Sequence, residues 1–138
     1  MSVIKKLIRF YKFDLDEKRR SLHKLEEQEA QIQAAIDATD RAVEEEQAFS
    51  RGENDYAPYY GGYASRVQLE REKLEDALAK ANEVVETTRE SVVQAFEELK
   101  KYEITKDRQE HRSYLESERQ NQIALDEIAL TMHQRKDK

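Results

Sequence analysis

The sequence predicts an all-α protein, namely a long antiparallel two-helix coiled-coil hairpin with a C-terminal helical overhang. Apolar residues recur at heptad spacing over most of the 138 residues. The only proline and all three glycines lie within residues 51–66, where a helix is expected to stop. Charged residues make up 39% of the chain and hydrophobic residues 38%. This hydrophobic content is too low for a multilayer core but sufficient for the narrow core of a coiled coil. We therefore expect a single coiled-coil hairpin domain over residues 1–138.

The first helix is predicted at about residues 3–50. A heptad pattern runs through it without Pro or Gly, and nine of its fourteen core positions are apolar. These positions are Ile4, Ile8, Tyr11, Leu15, Lys18, Leu22, Leu25, Glu29, Ile32, Ile36, Thr39, Val43, Glu46 and Ser50.

The turn is predicted at about residues 51–64, and it contains four of the seven tyrosines of the chain. A second helix is predicted at about residues 65–134, because Ser65 followed by Gln68 is a capping-box pattern. A start near Pro58 is the alternative, since proline is tolerated in the first turn of a helix.

A second set of core positions runs along this helix at alternating spacings of four and three. Its members are Val67, Leu74, Leu78, Ala81, Val85, Thr88, Val92, Ala95, Leu99 and Tyr102. Antiparallel pairing about the turn is expected to place Leu99 near Leu15, Val92 near Leu22 and Leu78 near Ile36.

The second helix is predicted to outrun the first. The first spans roughly 70 Å and the second roughly 105 Å at 1.5 Å per residue, so the last 25 or so residues have no partner within the chain. A new apolar stripe lies there, formed by Leu125, Ile128 and Met132 and flanked by Ile123 and Leu130.

Charge is distributed unevenly around a net value of −6. Residues 1–24 carry net +5, residues 25–99 net −12 and residues 100–138 net +1. A hairpin would therefore have a basic terminal end and an acidic turn end, although random bias on solvated helix faces explains the same numbers. The negative total and the interleaved acids favour a solvated surface over nucleic-acid binding.

Several classes of function find no support in the sequence. The chain lacks cysteine, a phosphate-binding glycine loop and a His motif with metal-ligand spacing. We expect no enzyme, no cofactor and no metal site. The N-terminal stretch has no uncharged apolar segment, so we expect no signal peptide, and no apolar run is long enough to span a membrane.

The whole chain resembles the FliJ family, the small soluble component of the bacterial flagellar type III export apparatus, and its injectisome counterparts. The resemblance lies in the length, the helical hairpin and three tracts: L-D-E-K-R-R-S-L-H-K-L-E-E-Q (15–28), Q-A-F-E-E-L-K-K-Y-E (94–103) and E-R-Q-N-Q-I-A-L-D-E-I-A-L (118–130). The tyrosine-rich turn departs from the family's pattern.

The resemblance implies a protein similar to the central stalk of rotary ATP synthases. Such a protein binds and stimulates a hexameric export ATPase through its terminal end, contacts the membrane export gate with another surface, and in some members binds empty export chaperones. It has no catalytic residues, and it is cytoplasmic, peripheral at the inner-membrane export apparatus. The alternative is a structural or scaffolding coiled coil, or an injectisome stalk homologue. A hairpin closed within one chain is expected to be a monomer, whereas a scaffolding coil is expected to dimerise.

Two surfaces are predicted to bind partners. The tip surface consists of Tyr56, Tyr59, Tyr60 and Tyr63, whose rings suit an interface, unless they fold over the end of the hairpin and close its core. The terminal-end surface consists of Leu125, Ile128, Met132, Arg119 and Arg135, unless this segment is a frayed tail.

Overall fold

The protein is an all-α helical hairpin in which two long helices pack against each other. The computed structural model describes the backbone of residues 2–52 and 57–136 and the side chains of residues 2–49 and 62–136. Helix α1 spans Val3–Gly52 and helix α2 spans Ala57–Lys136. The predicted fold class is therefore confirmed.

Both outer helix ends carry side chains that suit them. Ser2 caps α1: its hydroxyl accepts a hydrogen bond from the backbone N–H of Lys5 at 3.4 Å, which satisfies one of the unpaired donors of the first turn. The last turn of α2 contains His133, Arg135 and Lys136, and positive charge there is favourable beside the partial negative charge of a helix C-terminus.

Helix α2 begins earlier than the predicted start at about residue 65. It starts at Ala57, so Pro58 lies in the first turn and Ser65 lies inside the helix instead of capping it. The alternative start near Pro58 is the one observed. The helix tolerates this proline because the N–H that proline lacks would have no partner in the first turn. No described glycine has a positive φ, so Gly62 continues the helix.

The core is narrow, and its residues are those that the heptad pattern predicted. Among the side chains of residues 2–49 and 62–136, six apolar ones are buried: Ile8, Leu15, Ile36, Val85, Ala95 and Leu99. All six are predicted core positions. Every other predicted core position is half-buried, apart from Ser50, whose side chain lies outside the described residues.

The chain divides into two compact units. The central unit is Asp14–Ala95, and the terminal unit combines Met1–Phe13 with Phe96–Lys138. In the terminal unit, the rings of Tyr11 and Tyr102 stack with their centroids 5.1 Å apart and their planes 13° apart. The predicted pairing of Leu99 with Leu15 would place Tyr102 beside Lys12. The observed partner of Tyr102 is Tyr11, so the observed register differs from the predicted one by one residue here.

Two polar residues at core positions are satisfied by neighbours on their own helix, whereas Glu46 Oε2 is buried without a hydrogen-bond partner in the described part of the chain. The ammonium of Lys18 donates to Asp14 at 2.9 Å, and the hydroxyl of Thr39 donates to the carbonyl of Ala35, also at 2.9 Å. These bonds let polar side chains occupy a half-buried position without an unpaired donor. Within residues 2–52 and 57–136, no helix contains a stretch apolar enough to cross a membrane.

Candidate functional site

The C-terminal extension, residues 107–136, is a single helix without a partner helix. Lys106 is the last half-buried residue, and every residue from Asp107 to Lys136 is exposed. This segment covers about 45 Å at 1.5 Å per residue. The predicted overhang is thus present, and it is helical throughout.

The terminal-end apolar residues lie together on one face of this helix. Leu125, Ile128 and Met132 follow one another at spacings of three and four, and their side chains are 56–60% exposed. Arg135 and Lys136 are three and four residues beyond Met132, so they border the same face. The structure therefore groups four of the five predicted residues.

Arg119 is not part of this group. It lies six residues before Leu125, which places it roughly 120° away around the helix. Its guanidinium donates to Glu116 at 2.9 Å, and both side chains are exposed. An exposed pair at this spacing is a local feature of the helix surface.

A second apolar face lies opposite the first. Ile123 precedes Leu125 by two residues and Leu130 follows Ile128 by two, so each is roughly 160° from its neighbour around the helix. Ile123 is 50% exposed and Leu130 is 61% exposed. Ile123 and Leu130 were predicted as flanks of one stripe, but their offset of two residues from Leu125 and Ile128 places them on a separate face.

Two further exposed residues of the extension were missed from the sequence. Tyr114 and Leu115 lie within a stretch that otherwise looks uniformly polar, and both are more than half exposed. Their signal is weak because this pair is surrounded by polar and charged residues and no apolar residue follows at helical spacing until Ile123. They extend the exposed apolar surface towards the end of the paired region.

The tip tyrosines are only partly described. Tyr56 lies outside the described residues, and the side chains of Tyr59 and Tyr60 do as well. Tyr63 is half-buried, four residues before the core position Val67. For Tyr63, this placement favours a role in closing the core.

Near the tip, a fork of charge-assisted hydrogen bonds joins the two helices within the central unit. Arg71 Nε donates to Asp40 Oδ1 at 2.7 Å and Arg71 Nη2 donates to Asp40 Oδ2 at 3.2 Å, while Nη1 donates to Glu75. The hydrogen bond from Arg71 holds the pKa of Asp40 below its ordinary value, and the Asp40 carboxylate raises the pKa of Arg71. This bidentate pair fixes the local register.

A groove lies beside this fork. It is an open depression lined by the side chains of the fork and by Val43, Val67 and neighbouring polar residues. Among the described residues, no group of three or more His, Cys, Asp or Glu side chains is placed to hold a metal ion. The observed effect of the fork is to join α2 to α1 through Arg71 and Asp40.

The fold and surfaces define a class of protein, an antiparallel two-helix coiled coil with an unpaired, apolar-bearing helical extension. Comparisons of the chain with protein-family models, curated proteins and solved structures find no match.

Proposed function

We propose that this chain is a stalk-like component of a flagellar type III protein-export apparatus, resembling the FliJ family. In this proposal it binds and stimulates a hexameric export ATPase through its C-terminal extension. Its tip binds the membrane export gate, and export chaperones are further partners. The protein acts in the cytoplasm, peripheral to the inner-membrane export apparatus, and carries no catalytic residue.

The observation that supports the ATPase ring is the two-sided apolar character of the extension. Leu125 and Ile128 lie on one face, whereas Ile123 and Leu130 lie on the opposite face, and all four are at least half exposed. A helix that is apolar on several sides is normally surrounded by protein. A flat partner covers one face only, whereas the lumen of a ring covers both.

The dimensions of the extension are compatible with such a lumen. A single α-helix with its side chains is about 10–12 Å in diameter. No second helix packs against the extension, since every residue from Asp107 to Lys136 is exposed. It therefore offers a long, thin element for insertion, which the paired part of the hairpin does not.

The test compares the two faces separately. We expect Leu125→Ser/Ile128→Ser and Ile123→Ser/Leu130→Ser each to reduce stimulation of the purified hexameric ATPase at least about tenfold, because each removes apolar contacts worth about 1.4 kcal/mol or more. Deletion of residues 123–138 is expected to abolish stimulation while the hairpin stays folded by circular dichroism. If only one of the two double variants reduced ATPase stimulation, the partner would cover a single face and would not be a ring around the extension. If the deletion variant still stimulated the ATPase fully, the ATPase would bind a different part of the protein.

The alternative is a scaffolding coiled coil, and the same exposed apolar residues favour it, because a second copy would cover one face. Sedimentation equilibrium separates the two proposals. The stalk is expected to sediment as a 16.3 kDa monomer, whereas the scaffold is expected to dimerise and to lose dimerisation in the Leu125→Ser/Ile128→Ser variant.

A further inference from the structure

The first three turns of α1 carry a cluster of cations and no acidic residue. No Asp or Glu occurs before Asp14. The cluster consists of four residues, Lys5, Lys6, Arg9 and Lys12, all exposed. Within the described part of the chain, none of these four side chains forms an ion pair, whereas Lys18 and Arg20 in the next turns pair with Asp14 and Glu17.

Three of these cations surround one shallow hollow of the terminal unit. Lys5, Arg9 and Lys12 line it together with Ile8 and Lys106, and its volume is about 270 Å³. Lys106 has an acidic neighbour, Glu110, at 3.6 Å, but no carboxylate lines the hollow itself. The hollow is therefore a concave surface with uncompensated positive charge, which attracts an anionic group.

Exposed apolar side chains lie on the adjoining side of the same helix, where Lys6 and Arg9 border them, whereas Lys5 and Lys12 lie further round on the side of the hollow. Val3, Phe10 and Phe13 are all more than half exposed. Their spacings of seven and three place them on one side of the helix, away from the buried Ile8. Phe10 touches Tyr11 edge-on, with ring centroids 5.2 Å apart, and yet remains exposed.

We propose that the first three turns of α1 form a binding face for the surface of an anionic phospholipid bilayer. Lys5, Lys6, Arg9 and Lys12 contact the lipid phosphates, while Phe10 and Phe13 enter the boundary between head groups and acyl chains. Helices that lie on membranes combine these features, because basic residues gain from the negative surface potential and aromatic residues gain from leaving water.

A membrane suits this face better than a nucleic acid does. The phosphates of a membrane and those of a nucleic acid would both match the cations. A nucleic-acid duplex, however, offers no apolar environment for Val3, Phe10 and Phe13. The remaining chain is acidic, with net −12 over residues 25–99, so a polyanion that wraps the protein is repelled. The proposal is independent of the ATPase proposal, which concerns residues 123–136.

Fluorescence tests the insertion directly. The chain contains no Trp, so Phe13→Trp introduces a single reporter at a site whose native side chain is 65% exposed. We expect its emission to shift to the blue when the full-length protein is mixed with vesicles of phosphatidylglycerol and phosphatidylcholine in equal parts, but not with pure phosphatidylcholine. Leu69→Trp is the matched control, because Leu69 is 58% exposed and lies in the central unit, and its emission is expected to stay unchanged.

Vesicle sedimentation tests the charge. Lys5→Gln/Arg9→Gln/Lys12→Gln is expected to lower the partition coefficient about a hundredfold at about 0.1 M salt. The control Arg41→Gln/Lys73→Gln/Lys80→Gln removes three exposed charges of the central unit and is expected to bind like the parent. Both variants should keep the helicity of the parent, because only exposed side chains change.

Three results would overturn the proposal. One is an unshifted Phe13→Trp emission on anionic vesicles, and another is an equal loss of binding in the two charge variants. The third is tight binding of a single-stranded RNA by the same cations without binding to vesicles, which would assign the face to nucleic acid.

Discussion

Two adjacent valines of α2 provide the sharpest test of the hairpin packing. Val84 and Val85 are chemically identical neighbours in the central unit, yet the side chain of Val84 is 47% exposed and that of Val85 is 1% exposed. Each is replaced by alanine in turn. Because residue type, helix and position along the hairpin are matched, any difference between the variants arises from burial.

The structure sets the sign and size of the two effects. Valine to alanine removes two methyl groups, which costs about 1.6 kcal/mol of transfer free energy at a buried site, and the cavity left behind adds to this cost. Alanine also gains about 0.5 kcal/mol of helix propensity over valine at either position. We expect Val85→Ala to lower the free energy of unfolding by about 1.5–2 kcal/mol. At the half-exposed Val84 the two terms nearly cancel.

Thermal unfolding followed by circular dichroism measures the difference. A loss of about 2 kcal/mol corresponds to a fall in Tm of roughly 4–8 °C for a chain of this size, whereas Val84→Ala is expected to stay within about 2 °C of the parent. Equal shifts for the two variants, or a larger shift for Val84→Ala, would refute the observed facing of α2. Urea denaturation provides an independent measure of the same free energies.

Three other predictions concern the end of the hairpin near the turn. Gly62→Ala is expected to raise stability by about 0.5–1 kcal/mol in thermal unfolding, because the added Cβ meets nothing within 4 Å and the backbone is helical; a loss would restore the later helix start. Arg71 keeps the pKa of Asp40 below its ordinary 3.8, so the contribution of this pair is present above about pH 4 and is lost as the pH falls through the lowered pKa; the stability of Asp40→Asn measured against pH should therefore lack this acid-dependent loss. Tyr59→Ala/Tyr60→Ala is expected to weaken binding to the export gate at least about tenfold with unchanged helicity and ATPase stimulation; a joint fall of binding and helicity would make the rings structural.

The sequence was sufficient to predict the core because a coiled coil buries residues by a fixed rule. Ile8 and Leu15, or Val85 and Leu99, satisfy the heptad spacing, and helix geometry places them on one face without further information. Tertiary context has little room to override this pattern in two long helices.

The predicted start of α2 was wrong because local sequence signals near the turn favoured a later start than the one observed. Ser65 is a good capping residue, and Gly61 and Gly62 disfavour a helix by about 1 kcal/mol each. The helix nevertheless begins at Ala57. Propensity is a weak prior that tertiary context can override, and the earlier start adds about two helical turns.

The fork of Arg71 and Asp40 escaped prediction for a different reason. The two residues are 31 apart in sequence, and their meeting depends on the register between helices, which heptad spacing leaves uncertain by a few residues. Long charged side chains at the edge of the core occur throughout this chain, so composition gave no reason to choose this pair.

The two proposed binding surfaces of the terminal unit are physically separable. Lys106 borders the cationic hollow, and Leu125, which begins the first apolar face of the extension, is nineteen positions further along the same continuous helix, about 28 Å away. This exceeds two Debye lengths at about 0.1 M salt, where the screening distance is about 10 Å. Charge changes at Lys5, Arg9 and Lys12 therefore leave the potential at Leu125 nearly unchanged. Substitutions at Leu125 and Ile128 remove no charge from the hollow. Loss of vesicle binding and loss of ATPase stimulation must then arise from different sets of variants, unless one ligand sterically excludes the other.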